Sequence, residues 1–187
     1  MKRDELEHVI RAAAAVAGED EIVVVGSQAI LGQFPHAPST LLFSQEADVY
    51  PRTRPERAIE IDGALGDGSQ FHETFGYYAH GVGPETAKAP EGWQQRLIPV
   101  SIKPVVGPHA EVTGWCMEAH DLVLSKLVAG RDRDIDFAEQ AIRHDIVQPQ
   151  ELLRRLCSLP IDDQHQQHVR SLLDSAIARA SRSSEIA

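Results

Sequence analysis

Glu46 and Asp48 are the two residues of this chain best placed to do chemistry. They stand in the stretch Ser44-Gln45-Glu46-Ala47-Asp48-Val49-Tyr50-Pro51, where a short strand is expected over residues 47–50. Residues two apart in a strand share a face. Two carboxylates on one face repel each other unless a cation lies between them. Mg²⁺ is the hard cation that one or two carboxylates and a substrate's phosphates usually hold. The competing reading is a solvated strand edge with two acidic side chains, a common surface feature.

A second motif precedes this one. Residues 22–25 (Ile-Val-Val-Val) form a β-branched apolar run that suits a strand buried on both faces. Gly26-Ser27 follows, and residues 28–34 read as the first turns of a helix. A glycine lets the backbone approach a ligand closely. A helix beginning there would aim free N–H groups and a positive dipole end at the same point. Phosphate is the natural guest of such a turn. A strand-to-helix turn also needs glycine for its own geometry, so the motif alone decides little.

The elements that must position these residues follow from periodicity. An amphipathic helix is expected over 4–17, with Leu6, Val9, Ile10 and Ala13 at helical spacing. A further helix is expected over 54–65, with Pro55 in its first turn, and strands over 75–79, 96–102 and 111–117, the last two joined by a turn around Gly107-Pro108. From 119 onward the period becomes helical, with helices over 120–129, 135–143, 149–156 and 162–180. The fold class read here is α/β: a mixed sheet flanked by helices, with a helical C-terminal third. The organisation is an α/β core at 1–117 and a helical region at 118–187 packed on it.

The order of the two motifs is more specific than either alone. An apolar strand, Gly-Ser, a helix, then acidic-x-acidic on the next strand resembles the nucleotidyltransferase superfamily. Within it, the chain resembles a bacterial family of uncharacterised nucleotidyltransferase-like proteins. The carrying residues are Val25-Gly26-Ser27-Gln28-Ala29-Ile30-Leu31, Ser44-x-Glu46-Ala47-Asp48-Val49-Tyr50-Pro51, Gly92-Trp93-x-x-Arg96-Leu97 and His120-Asp121-Leu122-x-x-Ser125-Lys126-Leu127-x-Ala129-x-Arg131-x-Arg133-Asp134. The last segment also resembles the lysine-plus-R-x-x-D region of abortive-infection-type nucleotidyltransferase toxins. The likeness covers roughly residues 20–145.

That resemblance implies a nucleotidyltransferase fold and transfer of a nucleotide from a nucleoside triphosphate to an acceptor hydroxyl. It implies Mg²⁺, with Mn²⁺ as the alternative ion, held by Glu46 and Asp48. Glu46, Asp48 and Lys126 are the implied catalytic residues. Gly26, Ser27, Ser44, Lys126, Arg131 and Asp134 are the implied nucleotide-binding residues. The competing reading of Lys126 and Arg131 is pairing with Asp121, Asp132, Asp134 or Asp136 on a solvated surface, where such pairs are worth about 0–1 kcal/mol. Lys126 lies in an apolar context, which argues for a buried task. Asp134 stands where the toxins carry an acidic functional residue, with Asp136 as competitor. Two departures from the superfamily stand out. The interval from Ser27 to Glu46 is long, so residues 35–39 are expected to form an extra loop. The third carboxylate expected on a later strand is missing, with Glu111 and Asp62 as substitutes.

Composition narrows the partners. A net charge of −10 over 187 residues argues against a broad duplex-DNA surface, while leaving room for a local basic pocket. Two distant cysteines, Cys116 and Cys157, form no metal or disulfide framework. The charged N-terminus and the lack of a long apolar run lead to the expectation of a cytoplasmic protein with no membrane partner. His165 and His168 are spaced to chelate a transition metal, but a polar helix face explains them more simply. His36, His72, His80 and His109 fall in expected loops or strand ends, without a partner at diagnostic spacing. Trp93 reads first as a core plug, and Tyr77 and Tyr78 as a pair pointing to opposite faces. The acceptor is left open between RNA (tRNA in the toxin reading) and protein, with a cognate antitoxin as expected partner. The alternative function is a catalytically inactive relative that binds a nucleotide or a partner protein.

Overall fold

A computed structural model describes residues 1–103 and 111–184. The expected turn around Gly107-Pro108 lies outside the described residues. Five strands form one mixed sheet: β1 (Glu21–Val25), β2 (Glu46–Pro51), β3 (Tyr78–Gly81), β4 (Ile98–Ile102) and β5 (Val112–Cys116). Their order across the sheet is β3-β2-β1-β5-β4. β1 is antiparallel to β2 and parallel to β5, while β2 and β3 run parallel. The central position of β1 explains its unbroken apolar run, since Ile22, Val23, Val24 and Val25 are all buried.

Helix α1 (Arg3–Ala17) buries Leu6, Val9, Ile10, Ala13, Ala14 and Ala17, one stripe of an amphipathic helix. It packs on β1, β2 and β5, with α3 (Ala58–Leu65) beside it. After β1 the chain makes a 3₁₀ turn at Ser27–Ala29 and then only one turn of helix, α2 (Ile30–Gln33). The helix expected over 28–34 is therefore shorter than its sequence suggests. Residues 34–38 form the extra loop, followed by a 3₁₀ turn at Ser39–Leu41.

Two further expectations are corrected. Residues 70–75 form α4 (Gln70–Phe75), capped by the Ser69 hydroxyl accepting from the His72 N–H at 3.1 Å. The aromatic run that read as strand 75–79 is thus split by Gly76, and the strand starts at Tyr78. Arg96 belongs to a 3₁₀ turn at Trp93–Arg96 rather than to β4. Trp93 is buried, as a core plug should be.

The C-terminal third is helical: α5 (Ala119–Ala129), α6 (Asp132–Arg143), α7 (Pro149–Leu156) and α8 (Asp163–Ser184). Their buried side chains, among them Leu122, Leu127, Leu152 and Leu173, join those of the sheet and α1 in one continuous cluster. A charged knot reinforces this junction. Asp121 has no exposed surface and accepts from Arg96 (Nε 2.7 Å, Nη2 3.0 Å) and from Arg155 Nη1 at 2.9 Å. Arg155 also reaches Glu118 at 2.5 Å and Glu151 at 2.5 Å. A buried carboxylate is tolerable only with such partners, which ties the 3₁₀ turn, α5 and α7 together. Among the described residues, no helix is long and apolar enough to cross a membrane.

Candidate active site

The antiparallel register puts Val25 opposite Asp48, so Gly26 lies beside the start of β2. Gly26 has φ +66° and ψ −172°, and a Cβ built on it would sit 2.1 Å from Asp48 Oδ2. Only glycine takes that backbone conformation comfortably. Its missing side chain is the space that the Asp48 carboxylate occupies. Ala47 and Val49 alternate with the acidic pair and are fully buried, which fixes Glu46 and Asp48 on the other face of β2.

The neighbouring strand completes the group. β3 pairs Tyr78 with Glu46 and His80 with Asp48. Tyr78 OH donates to Glu46 Oε2 at 2.9 Å. His80 Nδ1 lies 3.0 Å from both Glu46 Oε1 and Asp48 Oδ1. Among the described residues, Glu46, Asp48 and His80 are the one set of three metal-type side chains whose ligand atoms gather within 4.8 Å of one another. Burial, with Glu46 beside it, pushes the Asp48 carboxyl up to about 6. Burial also works to raise Glu46, but its hydrogen bonds with Asp48 and Tyr78 and the charge of His80 hold it below the usual carboxylate value. His80 is lowered by burial and raised by the hydrogen bond and charge of Asp48, and ends above the usual histidine value. Oxygen-rich, negatively charged and partly open, the group fits a divalent cation.

Neither expected third carboxylate joins it. Glu111 precedes β5 at the end of the sheet where β1 begins, as the pairing Glu21↔Thr113 shows, far from Gly26. Asp62 is exposed and lines a separate hollow of about 320 Å³ with Glu46, Asp67, Tyr78 and His80. The third metal-type side chain beside Glu46 and Asp48 is His80. That residue fell outside the expected strand because the strand was drawn two or three residues early. An alternating Tyr78-x-His80 pair in register with Glu46-x-Asp48 was the available signal.

On the other side of Glu46 and Asp48 opens a cleft of about 690 Å³. Its lining includes Ser27, Ser44, Glu46, Asp48, Lys126, Arg131 and Asp134, and also Arg133 and Phe43. Four separate segments meet there. The last segment is delivered by a turn: Gly130, at φ +65°, ends α5 and donates its N–H to Lys126 O at 3.0 Å. The reversal brings Lys126 Nζ within 3.0 Å of Asp134 Oδ1. Lys126 thus pairs with one of the aspartates considered, but in a nearly buried setting, its Nζ 4.9 Å above the Phe137 ring. Asp134 Oδ2 is buried and has no hydrogen-bond partner among the described residues. Arg131 and Arg133 are exposed; none of the described ion pairs includes either.

Ser44 has a structural task as well. Its hydroxyl accepts from the Glu46 N–H at 3.0 Å and sets the entry to β2. Its carbonyl accepts from Gln28 Nε2 at 3.1 Å. The Met1 nitrogen donates to Leu42 O and Ser44 O, so the loop is fastened on both sides of Phe43. Phe43 itself is 84% exposed. Tyr77 and Tyr78 part as expected, Tyr77 OH meeting His8 Nδ1 of α1 at 2.8 Å, although both are half-buried. Asp162 caps the start of α8, its Oδ1 accepting from the His165 N–H at 2.8 Å, and His165 belongs to no three-ligand cluster among the described residues.

A family profile described as "Nucleotidyltransferase of unknown function (DUF6036)" matches residues 4–164. The chain belongs to this family. The match spans β1, β2, β3 and the Lys126–Asp134 turn, so every segment lining the DUF6036 cleft lies inside it. No curated protein and no solved structure is significantly similar to the chain.

Proposed function

We propose that this DUF6036 protein is a metal-dependent nucleotidyltransferase that moves a nucleotide from a nucleoside triphosphate to an acceptor hydroxyl. The observation that carries the reading is the meeting, in one open cleft, of an acidic pair and two arginines, Arg131 and Arg133, that enter no ion pair among the described residues. A cleft of this size suits a nucleotide.

In this reading the acceptor oxygen attacks the α-phosphorus, the bond to the bridging oxygen breaks, and pyrophosphate leaves. Such transfers need positioning and charge stabilisation more than covalent help. Glu46 and Asp48 would hold Mg²⁺ or Mn²⁺, which when bound neutralises charge on the transferring phosphate. Arg131 and Arg133 take the charge of the β- and γ-phosphates. Lys126, held in place by Asp134, adds a fixed positive charge beside them. Asp134 acts only through Lys126, since its second oxygen, Oδ2, is buried. Ser27 lines the cleft and is the phosphate contact of this turn; Gly26 instead makes room for the Asp48 carboxylate, and the helix behind them is too short to add much dipole. Phe43, presented on a fastened loop, offers its ring face to the base.

The inactive alternative is favoured by one observation: among the described residues, the third metal-type side chain gathered with Glu46 and Asp48 is a histidine and not a carboxylate. It predicts nucleotide binding without transfer. The acceptor is an RNA end or a protein hydroxyl. A toxin role with a cognate antitoxin rests on the sequence resemblance; growth arrest on expression that depends on Asp48 tests it. The enzymatic reading is tested by incubating the protein with each α-labelled nucleoside triphosphate and Mg²⁺ or Mn²⁺, with and without RNA. Label transfer that disappears in Asp48→Ala supports it. Equal transfer by that variant defeats the site assignment.

A further inference from the structure

We propose that His80 is the third protein ligand of the metal centre, through Nδ1, and that the centre therefore prefers Mn²⁺ to Mg²⁺. The proposal rests on the nucleotidyltransferase reading only for placing a cation at Glu46 and Asp48.

Three observations carry it. First, His80 is positioned by the sheet itself: β3 runs parallel to β2 and puts His80 in register with Asp48, on the face that Glu46 and Asp48 share. Second, its Nδ1 is equidistant, at 3.0 Å, from one oxygen of each carboxylate. Adjacent ligands on an octahedral ion with bonds of roughly 2.1 Å are about 3.0 Å apart. Third, the carboxylate is oriented from outside. Tyr78 OH holds Glu46 Oε2 and so turns Oε1 towards His80. Groups that fix a ligand in this way are the usual second layer of a metal site.

The chemistry of the donor set gives the preference. Mg²⁺ favours oxygen on every side. An imidazole nitrogen suits the later divalent ions best, and Mn²⁺, the first ion of that first-row series, accepts one beside carboxylates more readily than Mg²⁺, which demands oxygen and keeps its waters. Between the two ions that commonly serve phosphate chemistry, His80 tilts the site to Mn²⁺.

A 3.0 Å separation also suits an imidazolium that merely neutralises two carboxylates. The two roles have opposite signs. A ligand, when removed, weakens cation binding. A competing positive charge, when removed, strengthens it.

The test titrates the full chain with Mn²⁺, followed by the electron paramagnetic resonance of the free ion, and with Mg²⁺ by calorimetry. Wild type, His80→Ala, His80→Asn and Asp48→Asn are compared, each first shown to melt cooperatively. The expected result is at least about tenfold weaker Mn²⁺ binding in both His80 variants, with a smaller loss for Mg²⁺. Pulsed spectra of the wild type show nitrogen coupling to Mn²⁺ that both variants lack. Mn²⁺ binding in the His80 variants as tight as in wild type or tighter, or a wild-type spectrum without nitrogen coupling, overturns the proposal. If binding still depends on Asp48 in that case, the nucleotidyltransferase reading stands. If wild type binds neither ion, or Asp48→Asn binds Mn²⁺ like wild type, both fall.

Discussion

Replacing Gly26 by alanine tests how the carboxylate site is built. The added Cβ would sit 2.1 Å from Asp48 Oδ2 and 3.1 Å from Asp48 Cγ. An ordinary contact needs about 3.4 Å or more, so the Asp48 carboxylate must move by roughly 1 Å. The backbone at φ +66° adds its own strain, about 1–3 kcal/mol for a non-glycine residue. At roughly 2–4 °C per kcal/mol for a chain of this size, the melting temperature falls by about 2–12 °C. The functional cost is larger, because a catalytic group misplaced by about 1 Å loses on the order of 100-fold in rate. Calorimetric melting and Mn²⁺ titration of Gly26→Ala, followed by label transfer, measure both effects. A variant that melts cooperatively, binds Mn²⁺ like wild type and transfers label at the wild-type rate would refute the reasoning.

Other outcomes follow from the same structure. Asp121→Ala strips Arg96 of its ion-pair partner, leaving it bonds to the Pro90 and Glu91 carbonyls, while Arg155 keeps Glu118 and Glu151; a loss of about 1.5–3 kcal/mol, the worth of a hydrogen bond to a charged group, is expected in urea melts. Lys126→Met leaves Asp134 buried without a counter-charge and costs about 3–5 kcal/mol, whereas the double change Lys126→Met with Asp134→Leu recovers most of it. Burial raises Glu118, but its bonds with His120 and Arg155 hold it lower still, below the ordinary carboxylate value; the stability it contributes is complete above about pH 4.5 and is lost as the pH falls through its folded value, which acid titration of the melting temperature reads out. Protons compete with the cation at Asp48, which titrates at about 6, and at His80, raised above the usual value; the thermal shift given by Mn²⁺ should therefore be large at pH 7.5 and small at pH 5. Phe43→Ala should weaken nucleoside triphosphate binding about 5- to 150-fold, the worth of one stacked base, and leave inorganic tripolyphosphate binding unchanged, as fluorescence competition would show.

The parts of the fold that were legible in the sequence are those with a strong period. The stripe of α1, the apolar run of β1 and the four C-terminal helices each carry a pattern that survives burial. The misread stretch, residues 70–81, has none: aromatics at Phe71, Phe75, Tyr77 and Tyr78 suit a strand by propensity, but Ser69 caps a helix and Gly76 ends it. That shift hid His80, since a strand drawn at 75–79 leaves it as a loop residue. Asp134 was one of four aspartates that could pair with Lys126; which of them does depends on the reversal at Gly130, which spacing alone does not reveal. Arg96 and Asp121 stood in separate motifs; their pairing belongs to tertiary structure. Glu111 looked like a third acid because nearness in sequence to a strand says nothing about which end of the sheet it occupies.

The central claim is that the 690 Å³ cleft holds a nucleoside triphosphate with its α-phosphate at Glu46 and Asp48. The most direct measurement is a crystal structure of the protein with an α,β-methylene nucleoside triphosphate and Mn²⁺. The account predicts metal density between Glu46 and Asp48, the outer phosphates on Arg131 and Arg133, and the base against Phe43. Nucleotide bound elsewhere, or a cleft that stays empty at saturating ligand and metal, would contradict it.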